Sequence, residues 1–142
     1  MATKTLVPVD GSITAERTLD KIIAQKKRFP HTLTLLHVVD LDKLAYRMIP
    51  DFQLKMIRDN ARQAGQQLLD GKAALLAQAG FSVESRLEFG LPRQIICRVA
   101  NDDGFDLVIL GRRESTGEIR DVLFGSVANY VLHNVACSVL LF

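Results

Sequence analysis

Four short runs of the chain are apolar at consecutive positions rather than at alternate ones: TLVPV (5 to 9), LTLLHVV (33 to 39), DLVIL (106 to 110) and SVLLF (138 to 142). A strand that is apolar on both faces must be covered on both, so these runs predict strands of a parallel sheet. A fifth run, FSVESRLEF (81 to 89), alternates more regularly through Phe81, Val83, Ser85, Leu87 and Phe89. Its wetter second face predicts a strand nearer the sheet edge.

The intervals between these strands carry helical periodicity. Ser12 is placed to cap a helix whose apolar face is Ala15, Leu19, Ile22 and Ile23, and Phe29-Pro30 stops it. Residues 51 to about 79 make the longest helical segment, with Ile57, Ala61, Ala64, Leu68, Leu75 and Ala79 as the expected inward stripe. Gly65 and Gly71 oppose that helix, each costing about 1 kcal/mol relative to alanine. Gly90-Leu91-Pro92 opens a third helix with Ile95, Ile96 and Val99 inward, the proline sitting where a missing N–H does no harm. The fourth begins at Ser126, with Val127, Tyr130, Val131 and Asn134 expected on its inner side. The resulting order, β-α-β-α-β-α-β-α-β, predicts an α/β fold: an open five-stranded parallel sheet, doubly wound and Rossmann-like, in one domain over residues 1 to 142. The irregular connection DLDKLAYRMIP, from Asp40 to Pro50, is the candidate lid.

Composition narrows the function classes. A length of 142 residues with 48% hydrophobic content fills one core. No apolar stretch approaches the roughly 20 residues of a membrane helix, and the opening MATKTLVPVDGS lacks a secretory apolar segment, so a cytoplasmic protein with no membrane partner is expected. With a net charge of +2, the one basic triplet, Lys26-Lys27-Arg28, closes a helical pattern where cations offset the dipole, so no nucleic-acid partner is expected. Cys97 and Cys137 fit neither a C-x-x-C nor a zinc spacing and read as reduced, buried thiols. His31, His37 and His133 stand singly, and neither H-E-x-x-H nor G-x-S-x-G occurs, so no metal site and no catalytic residue is assigned.

Ligands of an open parallel sheet gather at the carboxyl ends of its strands, where the strand order reverses. Three loops lie there. In VPVDGS, Pro8 closes the first strand, Val9 follows it, and Asp10 brings a carboxylate to a helix start, either as an Asx turn or as a ligand group. At the end of LLHVVD the backbone of Val38 is available to the edge of a base. In GRRESTGEIRDVLFGS, running from Gly111 to Ser126, Gly125 and Ser126 join bare N–H groups, a hydroxyl and a helix N-terminus, which suits an anion but also describes an ordinary cap.

Together these loops resemble those of the universal stress proteins. The resemblance covers the whole chain and is carried by LVPVDGS, LTLLHVVD, EFGLPRQII and DLVILGRR running on to LFGSVANYVLHNVACSVLLF. It implies an adenine nucleotide alpha-hydrolase-like fold and a stress-response regulator that binds ATP, AMP or ADP, with or without magnesium, and hydrolyses ATP slowly at most. Carried over by position, Asp10 would hold the ribose hydroxyls at the end of Pro8-Val9, and Val38 would offer its backbone to adenine. Gly111, between Leu110 and Arg112, would admit the ribose, while Gly125, Ser126 and Val127 would meet phosphates through their N–H groups. The family spacing is glycine, two residues, glycine, nine residues, then Gly-Ser or Gly-Thr. Here Glu114 stands where the second glycine belongs, Gly117 is the nearest replacement, and Gly125-Ser126 arrives one residue late. A carboxylate there repels phosphate, and Arg112, Arg113 and Arg120 are placed to offset it. The alternative reading is a protein-interaction module of the same fold that has lost nucleotide binding. A nucleotide-dependent transferase or redox enzyme lacks its G-x-x-x-x-G-K-[ST] loop or paired cysteines. Finally, Ser138 to Phe142 is an apolar run at a sheet edge, where unpaired peptide groups invite a second copy, and the family's dimers imply the same homodimer.

Overall fold

Strand alternation sorts the apolar residues of each buried run into two cores, and that sorting builds the molecule. The computed structural model describes residues 3 to 40, 50 to 112 and 125 to 142. In chain order the elements are β1 (Thr5–Pro8), α1 (Ile13–Ala24), β2 (Thr32–Val39), α2 (Asp51–Gln78), β3 (Ser82–Phe89), α3 (Pro92–Asp102), β4 (Leu107–Leu110), α4 (Ser126–Asn134) and β5 (Ser138–Leu141). All neighbouring strands are parallel, in the order β3-β2-β1-β4-β5. Leu6, Leu36, Val108 and Leu110 point to one face and pack with Ile95, Ile96, Val99 and Val131 of α3 and α4. Val7, Leu33, Leu35 and Ile109 point to the other and pack with Leu19 and Ile22 of α1 and Leu69 and Leu76 of α2. The chain moves outward from β1 to β3 on one side, then returns past β1 to β4 on the other. The switch point therefore lies at the carboxyl end of β1.

Two expected helix faces are corrected. In α2 the buried positions are Gly65, Leu69 and Leu76, whereas Ala64 is exposed and Leu75 is 41% exposed. Leu68 and Ala79 of the expected stripe do pack, half-buried, against the same core, but its centre lies one residue further on, where a glycine, not an alanine, sits at the closest approach to the sheet. A Cβ at Gly65 would lie 3.0 Å from Leu87 Cδ1 and 3.1 Å from His37 Cδ2. Reading Gly65 as a helix weakness rather than as a contact hid this register. In α4 Ala128 and Val131 are buried, while Val127 and Asn134 are exposed. Helix α1 stops at Ala24, and the basic triplet forms a separate 3-10 turn, Lys26–Arg28.

The two edges differ in character. β3 carries Glu84, Arg86 and Glu88 on one face, where Arg86 Nε donates to Glu88 Oε1 at 2.9 Å and the guanidinium also pairs with Asp103. These two carboxylates, Asp103 foremost, hold the Arg86 guanidinium above its ordinary value. β5, reading SVLL, carries no charge.

Candidate functional site

β1 ends at Pro8, but Val9 N–H still donates to the Leu36 carbonyl at 2.8 Å. The chain then turns away through Asp10, whose Oδ1 accepts from Ser12 N–H at 2.9 Å, and Ser12 Oγ in turn accepts from Ala15 N–H at 3.1 Å as the N-cap of α1. The Asx turn and the cap are thus both present, and they hold an exposed Asp10 side chain at the switch point.

Peptide groups alternate in direction along a strand. Leu36 faces β1, as its bond to Val9 shows, and the Val39 carbonyl faces the β3 side, where it accepts from Gly90 N–H at 3.0 Å. The peptide groups of Val38 therefore face the side that β1 has just vacated. Among the described residues no backbone group pairs with Val38 on that side.

At the end of β4, Gly111 has a packing reason to be glycine. A Cβ at this position would come within 2.6 Å of Thr14 Cγ2 and 3.1 Å of the Thr14 carbonyl, and would also meet the Thr18 hydroxyl. Arg112 turns the other way: its N–H donates to the Phe142 carbonyl at 2.9 Å, and it lines a separate small pocket of about 90 Å³ with Arg17, Lys21 and Phe142.

The N-cap of α4 is Gly125, with φ 82° and ψ 159°, a conformation essentially restricted to glycine. Among the described residues no side chain caps this helix. The N–H groups of its first turn, starting at Ser126 and Val127, have no intrahelical acceptor and carry the positive end of the dipole.

These features meet in one cavity of about 600 Å³, the volume range of small-molecule sites. Pro8, Val9, Asp10, Val38, Leu110, Gly111, Gly125, Ser126 and Val127 all line it. Arg112 does not, and Gly117, like Arg113, Glu114, Arg120 and residues 41 to 49 of the expected lid, lies outside the described residues. The sequence reading missed Ser12, Thr14, Ala15 and Thr18 of the β1–α1 turn and α1, Leu36 of β2, Pro92 and Ile96 of α3, and Ala128. Their signal was available as i, i+4 pairs at the helix starts that face the carboxyl edge, Thr14 with Thr18 and Pro92 with Ile96. The α1 side of the cavity offers a carboxylate and hydroxyls, and the α3 side offers an apolar wall. Asp10 is the one acidic residue among the described lining, which holds no histidine, lysine or arginine. Such a lining suits binding better than proton transfer. Among the described residues no group of three or more His, Cys, Asp and Glu is arranged to hold a metal ion. Neither cysteine lines the cavity; both are free thiols, Cys97 buried and Cys137 half-buried. Desolvation pushes each thiol above its ordinary value, and the charge of a neighbouring Cys137 thiolate would push Cys97 further.

Known proteins share this fold. A Staphylococcus haemolyticus protein assigned to the universal stress proteins is 31% identical over 137 residues, covering 95% of this chain and 81% of that protein. The solved universal stress protein UspA from Lactobacillus plantarum superposes with a TM-score of 0.77 at 26% identity, covering 99% of this chain and 97% of that one. An Arabidopsis thaliana universal stress family protein solved with AMP bound has the same fold, with a TM-score of 0.69 at 19% identity over 99% of this chain and 90% of that one. The model of the universal stress protein family matches residues 1 to 142. With the parallel sheet, the switch-point cavity and a match from end to end, the chain belongs to the universal stress protein family.

Proposed function

We propose that the protein binds an adenine nucleotide, ATP or its AMP and ADP relatives, in the switch-point cavity, and acts as a stress-linked regulator. The observation that carries this reading is the convergence of three unlike groups on one space: the outward peptide of Val38, the Asp10 carboxylate, and the first turn of α4, which no described side chain caps. An adenine edge needs peptide donors and acceptors beside an apolar wall, ribose hydroxyls need an acceptor, and phosphates need N–H groups at a positive dipole end. The AMP held by the Arabidopsis relative supports the same ligand class. With Asp10 committed to ribose, no side chain of the described lining is left to activate water, which favours a sensor over an enzyme.

The protein also pairs with a second copy through β5. The two edges contrast in charge: β3 is guarded by charged side chains, whereas β5 is apolar and ends the sheet.

Calorimetry with ATP and magnesium, together with mass spectrometry of small molecules released on denaturation, tests the ligand. Binding near micromolar, about −8 kcal/mol, is expected, weakened by Asp10→Ala and by Ser126→Ala. No heat at millimolar ATP and no released nucleotide would transfer the reading to a protein-interaction module.

A further inference from the structure

We propose that His37 is the positioning residue of this site, holding the Val9 carbonyl so that the Val38 N–H stays free for a ligand; this rests on the adenine-nucleotide reading above. The residue stands one position before Val38 on β2, so its side chain projects to the opposite face, where it meets Gly65 of α2 beside Val39 and Leu87. Its ring Nδ1 lies 2.9 Å from the Val9 carbonyl oxygen. A carbonyl has no hydrogen to give, so Nδ1 carries the proton and donates.

Parallel-ladder geometry shows what this bond replaces. Val9 N–H donates to the Leu36 carbonyl. The next rung of the pattern runs from Val38 N–H to the Val9 carbonyl. The imidazole reaches that carbonyl from the other face of the sheet and takes the rung. β1 thereby ends one bond early, and the next residue, Asp10, is set at the mouth of the cavity.

The ring is held in turn by α2. A Cβ at Gly65 would stand 3.1 Å from His37 Cδ2, 3.3 Å from Val39 Cγ2 and 3.0 Å from Leu87 Cδ1, so the glycine is what leaves the imidazole its room. A continuous line of contact therefore runs from Gly65 through His37 to Val9 and Asp10. Without the ring N–H, the Val9 carbonyl is expected to draw the Val38 N–H into the ladder. The base would lose its donor while the phosphate end at α4 is untouched.

The test compares the wild-type protein with His37→Phe, which keeps a ring but no donor, His37→Leu, should the phenylalanine variant fold poorly, and His37→Asn, whose amide nitrogen sits near the place of Nδ1. Calorimetry with adenosine, AMP and ATP should show about tenfold weaker binding in the phenylalanine variant, by the same factor for all three ligands, and a return to within about threefold in the asparagine variant. Hydrogen exchange of the ligand-free proteins gives a second readout that loosening of the fold would move the opposite way: the Val38 amide should exchange more slowly in His37→Phe and at the wild-type rate in His37→Asn. A loss that grows with phosphate number, or an unchanged or faster Val38 amide, overturns the role of His37. If wild type binds none of the three ligands, the nucleotide reading has failed, and Val38 exchange still decides whether His37 holds the strand end.

Discussion

Gly65 and Gly71 lie in the same helix, and the same substitution at each should have different effects. Replacing glycine by alanine inside a helix stabilises by about 1 kcal/mol, chiefly by removing backbone freedom from the unfolded chain. At Gly71 nothing lies within 4 Å of the new Cβ, so that gain is realised in full. Gly71→Ala should raise stability by about 1 kcal/mol, or roughly 3 °C in Tm. At Gly65 the new methyl group arrives within 3.0 to 3.3 Å of Leu87, His37 and Val39, closer than carbon atoms pack. Overpacking of that kind costs about 1 to 3 kcal/mol, which cancels the gain or outweighs it by up to about 2 kcal/mol. The two variants should therefore differ by about 1 to 3 kcal/mol in urea midpoints measured at one protein concentration, with m unchanged so that the difference is one of stability. Equal stabilisation by both variants would refute the close approach of α2 to β2 and β3, and with it the reason for the register of the helix.

Thr5 is 1% exposed on β1, and among the described residues its hydroxyl has no hydrogen-bond partner. Thr5→Val should stabilise by about 1 kcal/mol in the same urea assay, since it removes a desolvated polar group and little volume. The thiols of Cys97 and Cys137 are raised by burial, so the folded protein holds their protons beyond the unfolded value of about 8.5. Their contribution is complete below that pH and is lost as pH rises through the folded values; urea midpoints should fall as pH rises above about 8.5, and less steeply in a Cys97→Ala, Cys137→Ala double variant. Phe142 bonds β4 through both its N–H and its carbonyl, so by strand alternation Leu140 also faces β4 and Val139 and Leu141 face the open edge. Val139→Pro removes a donor from that edge and should leave a monomer by sedimentation at tens of micromolar concentration, whereas a variant that stays dimeric would place the interface elsewhere.

The sheet was legible because its strands are covered on both faces, and uninterrupted apolar runs such as DLVIL say so directly. The edge position of β3 followed from the polar residues of SVESRLEF in the same way. The faces of α2 and α4 were less legible, for a reason that belongs to tertiary packing. A hydrophobic stripe is read by ranking side chains, and Gly65 ranks last although it is the point of closest approach. At the site, Asp10, Val38, Gly111 and Gly125 could be found because strand ends and glycines mark themselves. Thr14, Thr18, Pro92 and Ile96 carry a weaker mark, an i, i+4 spacing at a helix start, which gains meaning only when the starts of α1 and α3 converge on the same carboxyl edge. Gly111 shows how one letter can carry two demands: the sequence offers it as room for a ligand, and the structure shows that α1 requires it before any ligand arrives. His37 is the sharpest case. As a lone histidine on an apolar strand it reads as core, and its bond to Val9 becomes visible only where β1 stops and β2 continues. A residue that faces away from the cavity can then govern which peptide groups face into it, because on a strand the two faces share one backbone.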